Sequence, residues 1–465
     1  DTIPEINLLE NKLPSSGSDP YAALRNYWDS IPYKYPINLP YYLSPVRSPN
    51  FSHMSGFYNN GFYLQLTTED KDGRIFYTLD GSEPLLTPDM HPIGSTLEYS
   101  NPILIPINLD QTNLQSEIVT NPTDSITTPA NDILKASIIR ALVVDVNNQK
   151  STLVTHTYFL DEHKNEKHTM PILSIVSAPT GLFDDEIGIY VRGNLYQKIF
   201  DNMAQNPANY TQRGSKWERP AHIQMFDHTG EVLFSQNIGI RIHGSGTRWY
   251  PQKSFRLYAG KEYDHQDVFN FDFFPNLNNR QNLKPVDSHK TLILRNSGQD
   301  WKYWNSTQFK DAFSQSLLDQ SQFDIQGSQP VVVYLNGAYW GIYNIRTRYD
   351  EYYFQDYYGI NPNDLAMLED EYSLRYGNNA DIEDFTDILK FIDIDYKKNG
   401  YKTVDTLSDP TAFAHISSLI DLENFIDYYI AQIYFSNVDW PGNNTLYWRK
   451  RVEDPPLHSD IEYGH

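Results

Sequence analysis

The sequence predicts an α+β protein in which strands come first and helices follow. Three observations carry this. Short alternating apolar runs separated by turn residues fill 51–161. A second set of runs, interrupted by Gly-rich turns, begins at Pro171. After Asn379 the apolar residues fall at helical spacing. The 465 residues exceed one ordinary core and point to two or three folding units.

Residues 1–50 are rich in Pro, Ser, Asn and Tyr, with one short helical candidate over 19–28, and read as an extension packed on the next module. Strands are expected at 62–66, 75–79, 137–144 and 152–160, the last two joined by Asn147-Asn148; together they predict an antiparallel β-sandwich over 51–161. Residues 161–170, charged and His-bearing, read as a linker, so a boundary between separable units is expected near 161–171. Beyond it, 171–176 reads as a strand, and 218–228 with 231–243 as a pair around His228-Thr229-Gly230. Further strands are expected at 254–258 and 290–294, and a hairpin over 330–345 turns at Asn336-Gly337. A helix over 307–318 puts Phe309, Phe313 and Leu317 on one stripe, and Ile382, Phe385, Ile388, Leu389 and Ile392 share a face of another. Asp409-Pro410 opens a helix. In the last one Leu422, Phe425, Ile426, Tyr429, Ile430 and Ile433 form a long stripe expected to be buried.

Composition narrows the function classes. Without Cys there is no disulfide framework, thiolate metal site or Cys nucleophile. The balance of 37 basic against 59 acidic residues argues against nucleic acid or an anionic membrane surface as partner and allows a basic protein substrate. No stretch approaches the ~20 apolar residues of a membrane span, and Asp1-Thr2-Ile3-Pro4 reads as a mature or engineered start, not a signal peptide. The 13 His residues show no metal spacing; His53, His156 and His243 read as strand residues with ordinary hydrogen bonds.

Three stretches could carry chemistry. Gly244-Ser245-Gly246-Thr247-Arg248, followed by Lys253, could bring backbone amides and then an ammonium to a phosphate; a tight hairpin accounts for the same residues. Tyr334 to Tyr343 reads as a core hairpin. Asp439-Trp440-Pro441-Gly442-Asn443-Asn444 repeats the Asp-to-Asn spacing of a kinase catalytic loop, in which Asp accepts the substrate hydroxyl proton and Asn holds Mg²⁺. An Asx-turn that stops the preceding helix uses the same residue types.

In this order the three stretches resemble the spore coat protein H (CotH) kinase-like family. Its Gly-Ser-Thr-Arg…Pro-Lys-Lys-Ser pattern is matched by 244–254, its Gly-x-Tyr-x-Gly-x-Tyr strand by 337–343, and its Asp-x-x-x-x-Asn-x-x-x-(Trp/Tyr)-Arg stretch by 439–449. The resemblance covers 171–465. It implies an atypical bilobal protein-kinase-like domain that transfers the ATP γ-phosphoryl to Ser or Thr of a protein substrate. Catalytic roles would fall to Asp439 and Lys253. ATP contacts would come from Gly244, Ser245, Gly246, Thr247, Arg248, Lys253 and Asp311, and Asn444 would be the Mg²⁺ ligand; Asp311 stands where the family's helix carries a charged residue and is either the acidic partner of Lys253 or a solvated surface carboxylate. Ahead of it, Phe51-Ser52-His53-Met54-Ser55-Gly56-Phe57-Tyr58 and 75–84, with Asp80-Gly81-Ser82-Glu83-Pro84, resemble the C-terminal sandwich of chitobiases and hexosaminidases, an accessory module. The Asp80-Gly81 pair itself is explained by turn geometry.

The chain departs from the kinase pattern twice. Thr347, between Arg346 and Arg348, stands where the family has Glu. The family's Trp-x-x-x-Asp-x-Asp metal stretch is not reached before His465, and Glu462-Tyr463-Gly464-His465 is similar to its lead-in, so a truncated domain short of one metal ligand set is expected. The resemblance implies an exported protein, secreted or associated with a cell or spore surface. The alternative is a non-catalytic coat protein, adhesin or carbohydrate-associated protein on the same fold, its sandwich contacting glycans through aromatic side chains.

Overall fold

The computed structural model describes residues 46–107, 134–161, 169–200, 206–275, 277–280, 282–301, 306–370, 372–392 and 408–451. The helical candidate at 19–28 and the carboxylates Glu453, Asp454, Asp460 and Glu462 lie outside them. No helix among the described residues is long and apolar enough to cross a membrane.

The architecture is mixed α+β, with a β-rich module in front. The module's main sheet has the order β1-β5-β4-β2-β3, from β1 (Gly56–Tyr58), β2 (Arg74–Thr78), β3 (Leu97–Glu98), β4 (Ala136–Val144) and β5 (Val154–Leu160). Phe62–Leu64 pairs with Ile103–Ile105 in a separate ladder. The expectation of a purely antiparallel module needs one correction: β1 pairs with β5 in parallel, through Tyr158↔Gly56 and Leu160↔Tyr58. Only three residues of β1 are used, too short a segment for the turn pattern of the sequence to fix its direction.

Both faces of the sheet are buried, and the period of two divides the work. Ile139, Ala141, Val143, Tyr158 and Leu160 enter the module's core. Leu142 and Val144 pack with Phe76 and Leu153 on the other face. Phe159 joins a third cluster, with Ile172, Phe226, Val332 and Tyr334 from strands beyond the module.

Those strands close into a barrel in the order β6-β7-β8-β9-β10-β12-β11. They are β6 (Ile172–Ser177), β7 (Arg219–Phe226), β8 (Val232–His243), β9 (Ser254–Tyr258), β10 (Thr291–Arg295), β11 (Ser328–Leu335) and β12 (Ala338–Arg346). Asp227 builds the β7–β8 turn by accepting from the backbone of Thr229 and Glu231. Ring closure falls to β6, antiparallel to β7 and parallel to β11 through Ile172↔Val332 to Ile175↔Leu335. At the β11–β12 turn Asn336 sits at φ 48° and Gly337 at φ 79°, the conformation that makes Asn-Gly a hairpin signal.

The chain forms two compact units. The first comprises Asp1–Phe269, Lys290–Gln308 and Gln329–Ile345, so module and barrel fall together, across the boundary the sequence suggests at 161–171. The second comprises Asn270–His289, Phe309–Ser328 and Arg346–His465. It holds the sheet β14-β13-β15, from β13 (Leu365–Glu369), β14 (Ser373–Tyr376) and β15 (Leu446–Lys450). Its helices are α1 (Lys310–Ser316), α2 (Glu351–Tyr358), α3 (Asn379–Phe391), α4 (Pro410–Ser417) and α5 (Leu422–Tyr434). Tyr353, Phe354, Tyr357 and Tyr358 of α2 pack with Leu365 and Met367 as the unit's core. Asp409 caps α4 by accepting from the amides of Thr411 and Ala412.

The stripe of α5 is not buried as expected. Ile430 and Ile433 are 59% and 69% exposed, and Phe425 and Ile426 are exposed as well. The helix instead docks through Asn424, Asp427 and Tyr428, which meet Gln322 and Phe323, with Ala431 buried one turn on. These positions also repeat at i, i+3, i+4 and i+7, so periodicity fits a face rotated from the apolar one. The Phe309, Phe313, Leu317 stripe of the α1 segment is likewise exposed.

Two histidines in the first unit are buried in hydrogen-bonded settings. His156 meets Ser55 Oγ at 2.8 Å, and His222 meets Asn237 Oδ1 at 2.8 Å and Ser235 Oγ at 3.1 Å. Burial pushes His156 down to about 4 and His222 down to about 3; in the second unit burial pushes His289 down to about 4. Each folded value lies below the unfolded one near 6.5. The stabilisation is therefore complete above pH ~6.5 and is lost on acidification, at up to ~1.4 kcal/mol per pH unit for each histidine. Urea midpoints are expected to fall from pH 7 to 5 because the three histidines outweigh the opposing carboxyls, Asp356, which burial raises to about 7, and Asp324, which burial also raises. His222→Gln is expected to flatten the slope relative to the parent protein, and an unchanged slope in a folded His222→Gln protein contradicts the assignment of His222 as buried and neutral.

Candidate functional site

The Asp439 loop is assembled from the end of α5. Trp440 lies against Tyr429 and Tyr428, with ring centroids at 4.7 and 6.0 Å, which ties the loop to the helix. Asp439 N–H donates to Asn437 Oδ1 at 3.1 Å. The Asp439 carboxylate accepts from Asn444 Nδ2 at 2.8 Å and from Asn443 Nδ2 at 3.0 Å. Asn444 sits at φ 61°, in the left-handed region that Asn tolerates better than most residues. The structure thus brings Asp439 and Asn444 side by side, both exposed.

The strand after the loop is anchored at three points. Thr445 N–H donates to Asp370 Oδ1, and Asp370 N–H to Thr445 O. On β15, Trp448 Nε1 donates to Asp324 Oδ2 at 2.9 Å. Asp324 also accepts from Tyr353 and Tyr358, and its burial raises its carboxyl above the usual range. Arg449 Nη2 reaches Asp381 at 2.7 Å and Asp384 at 2.5 Å, both on α3. Arg449 thereby braces β15 through two acceptors that no local motif marks. Their i, i+3 spacing on a helix face is the available signal. Nothing local in the sequence marks Asp324, whose donors come from 29, 34 and 124 positions away.

In the first unit the Gly-rich stretch folds around inward-facing cations. Gly244 sits at φ 110°, Ser245 precedes the 3₁₀ turn Gly246–Trp249 without a side-chain capping bond, and Thr247 Oγ1 lies 2.6 Å from where a Gly244 Cβ would stand. Arg248, buried, donates to the carbonyls of Gly244 at 2.6 Å and Gln212 at 2.7 Å. Lys253 is wholly buried; its ammonium donates to the carbonyls of Arg248 at 2.8 Å and Tyr250 at 2.7 Å, and lies 4.1 Å from the Tyr210 ring centre. Tyr343 of the Gly337–Tyr343 stretch donates to Lys253 O at 3.0 Å.

Asp311, a candidate partner of Lys253, forms its ion pair with Arg346 at 2.8 Å in the second unit. Thr347 is buried and its hydroxyl accepts from Gly327 N–H at 3.0 Å. Among the described residues no group of three or more His, Cys, Asp or Glu is placed to hold a metal ion. The Asp439 loop offers two oxygen types, the carboxylate and the Asn444 amide oxygen, whose amide nitrogen is turned to Asp439. That set fits Mg²⁺, which commonly takes one or two protein oxygens and completes its shell with water and phosphate.

Arg449→Ala is expected to destabilise the protein by about 1–2 kcal/mol, because Asp381 is only 3% exposed and would lose its guanidinium partner. Asp384→Asn, at a 58% exposed position, is expected to change little. Equal unfolding midpoints for Arg449→Ala and the parent protein contradict the bracing role.

Comparison with known proteins finds two family models in the chain. Residues 240–456 match the family model described as CotH kinase protein, and residues 64–158 match the model described as Fn3 associated. No curated protein matches the chain. The CotH match contains the Gly-rich turn, Lys253, the Gly337–Tyr343 stretch and the Asp439 loop, and suggests a kinase-like enzyme behind an Fn3-associated module.

Proposed function

We propose that the protein is an ATP- and Mg²⁺-dependent phosphotransferase of atypical kinase type, acting on Ser or Thr hydroxyls of a protein substrate, exported and associated with a cell or spore surface. The observation that carries this reading is the paired placement of Asp439 and Asn444 within the CotH-matched residues. In the proposed reaction the hydroxyl oxygen bonds to the γ-phosphorus, the bond from that phosphorus to the β–γ bridging oxygen breaks, and Asp439 accepts the hydroxyl proton. Asn444 holds Asp439 through its amide nitrogen and would hold Mg²⁺ through its amide oxygen; the cation would supply charge neutralisation on the phosphates. Lys253 is the proposed phosphate anchor, with Gly244 to Arg248 as the turn beside the nucleotide.

One observation favours a second reading, a non-catalytic binding protein on the same fold. Lys253 already donates to two carbonyls, and a phosphate contact would require it to give them up. Binding of a fluorescent ATP analogue with and without Mg²⁺ separates the readings: Mg²⁺-dependent binding, weakened by Lys253→Ala, supports the kinase. Turnover is read from phosphate transfer to a protein hydroxyl. Asp439→Asn is expected to lower it by ~10²–10⁴ with little change in ATP affinity. Asn444→Ala is expected to raise the Mg²⁺ concentration needed. Parental turnover in a folded Asp439→Asn protein overturns the catalytic assignment.

A further inference from the structure

We infer that the Fn3-associated module is a fixed support of the barrel, clamping the β11–β12 turn from which the Lys253-contacting strand β12 departs. This does not depend on the phosphotransfer reading. The seam has an aromatic centre. Phe159 of β5 stacks on Phe57 of β1 at 4.9 Å and meets barrel residues Phe226 and Tyr334 edge-on at 5.5 and 4.9 Å. Phe159, Phe226 and Tyr334 are wholly buried. Around this centre runs a polar rim: Thr157 Oγ1 with Ser174 Oγ at 3.0 Å, and Ser55 Oγ with Gln224 at 3.0–3.2 Å.

The approach is close enough to exclude side chains. A Cβ on Gly230, in the β7–β8 turn, would lie 2.2 Å from the Phe57 ring. A Cβ on Gly337 would lie 2.2 Å from Ala136 O, while Ala136 N–H donates to Gly337 O at 2.9 Å. Neighbouring Asn336 hydrogen-bonds Ser177 through both amide atoms, at 2.9 and 2.8 Å, and faces Gly81 of the module's Asp80-Gly81 turn. That turn is held from behind by Arg140, which donates to Gly81 O at 2.9 Å. From the clamped turn β12 runs directly to Trp340, which donates to Tyr190 Oη, and to Tyr343, which donates to Lys253 O. Tyr190 Oη in turn accepts from Lys253 N–H. The turn chemistry of Asp80-Gly81 and of Asn336-Gly337 therefore meets in one contact, and a flexible tether would leave such a surface exposed.

The test uses the whole chain with a specific protease site placed within 162–168. After cutting, the two pieces are expected to co-elute at micromolar concentration and to unfold in one transition. Phe57→Ala in the cut protein is expected to weaken their association by about 10²-fold, and Phe57→Leu to recover most of it. In the uncut Phe57→Ala protein, hydrogen exchange is expected to quicken across Ala338–Arg346, which the substitution does not touch. Pieces that separate on cutting overturn the inference. So does exchange in Ala338–Arg346 that stays at the parental rate while the association weakens. Phosphotransfer activity enters none of these readouts, so their failure is distinguishable from failure of the kinase reading.

Discussion

The parallel pairing of β6 with β11 closes the barrel, and the rest of the first unit depends on it. Six consecutive buried residues, Ile172–Ser177, must pair on both edges and pack on both faces. Parallel and central strands carry such near-continuous apolar runs because neither face meets water. Closure leaves the ring without an open edge. It also brings Ser177 to Asn336, so that the β11–β12 turn is held by the strand that completes the ring. The outward side of β6 is taken by the module, through Ser174 and Thr157. A strand used on all four sides fixes what stands on each of them.

The same unit buries two cations that lie close together in the sequence. Taking an ammonium or guanidinium out of water costs several kcal/mol unless every donor finds an acceptor. Arg248 and Lys253 each direct donors at main-chain carbonyls, and carbonyls point inward only if the backbone turns. The 3₁₀ turn Gly246–Trp249 and the positive φ of Gly244 supply that geometry. The Gly-rich composition is thus accounted for by cations within the chain, and the proposed nucleotide contact must work on a turn already organised by Lys253.

Strands and helix starts were legible wherever local chemistry sets them. Asp227 in the β7–β8 turn, Asn336-Gly337 at the β11–β12 turn and Asp409-Pro410 at α4 each act within a few residues, and each element formed where it was expected. The direction of β1 and the docked face of α5 were not legible. Both are decided by partners distant in sequence, β5 in one case and Gln322 and Phe323 in the other. In the candidate site the juxtaposition of Asp439 and Asn444 was legible, since five positions bridged by Pro441 and Gly442 close locally. The inward turn of Lys253 was not, because a lysine after a Gly-rich turn reads the same whether its acceptor is a phosphate or a carbonyl. Nor was the Asp311–Arg346 pair, which joins residues distant in sequence through tertiary packing alone.

The Asp439 loop combines exposed side chains with an anchored backbone. The Asp439 and Asn444 side chains face water, where the substrate hydroxyl of the proposed reaction could reach them. Its flanks are fixed by Trp440 against α5 on one side and by Asp370, Asp324, Asp381 and Asp384 on the other. Preorganised catalysis asks for this division, because reacting groups displaced by about 1 Å lose about 10²-fold in rate. A loop that only ended a helix would need its Asx turn and no more. The convergence of those four carboxylates on Thr445, Trp448 and Arg449 is more anchoring than a helix stop requires, and it falls on the strand that sets where Asn444 stands.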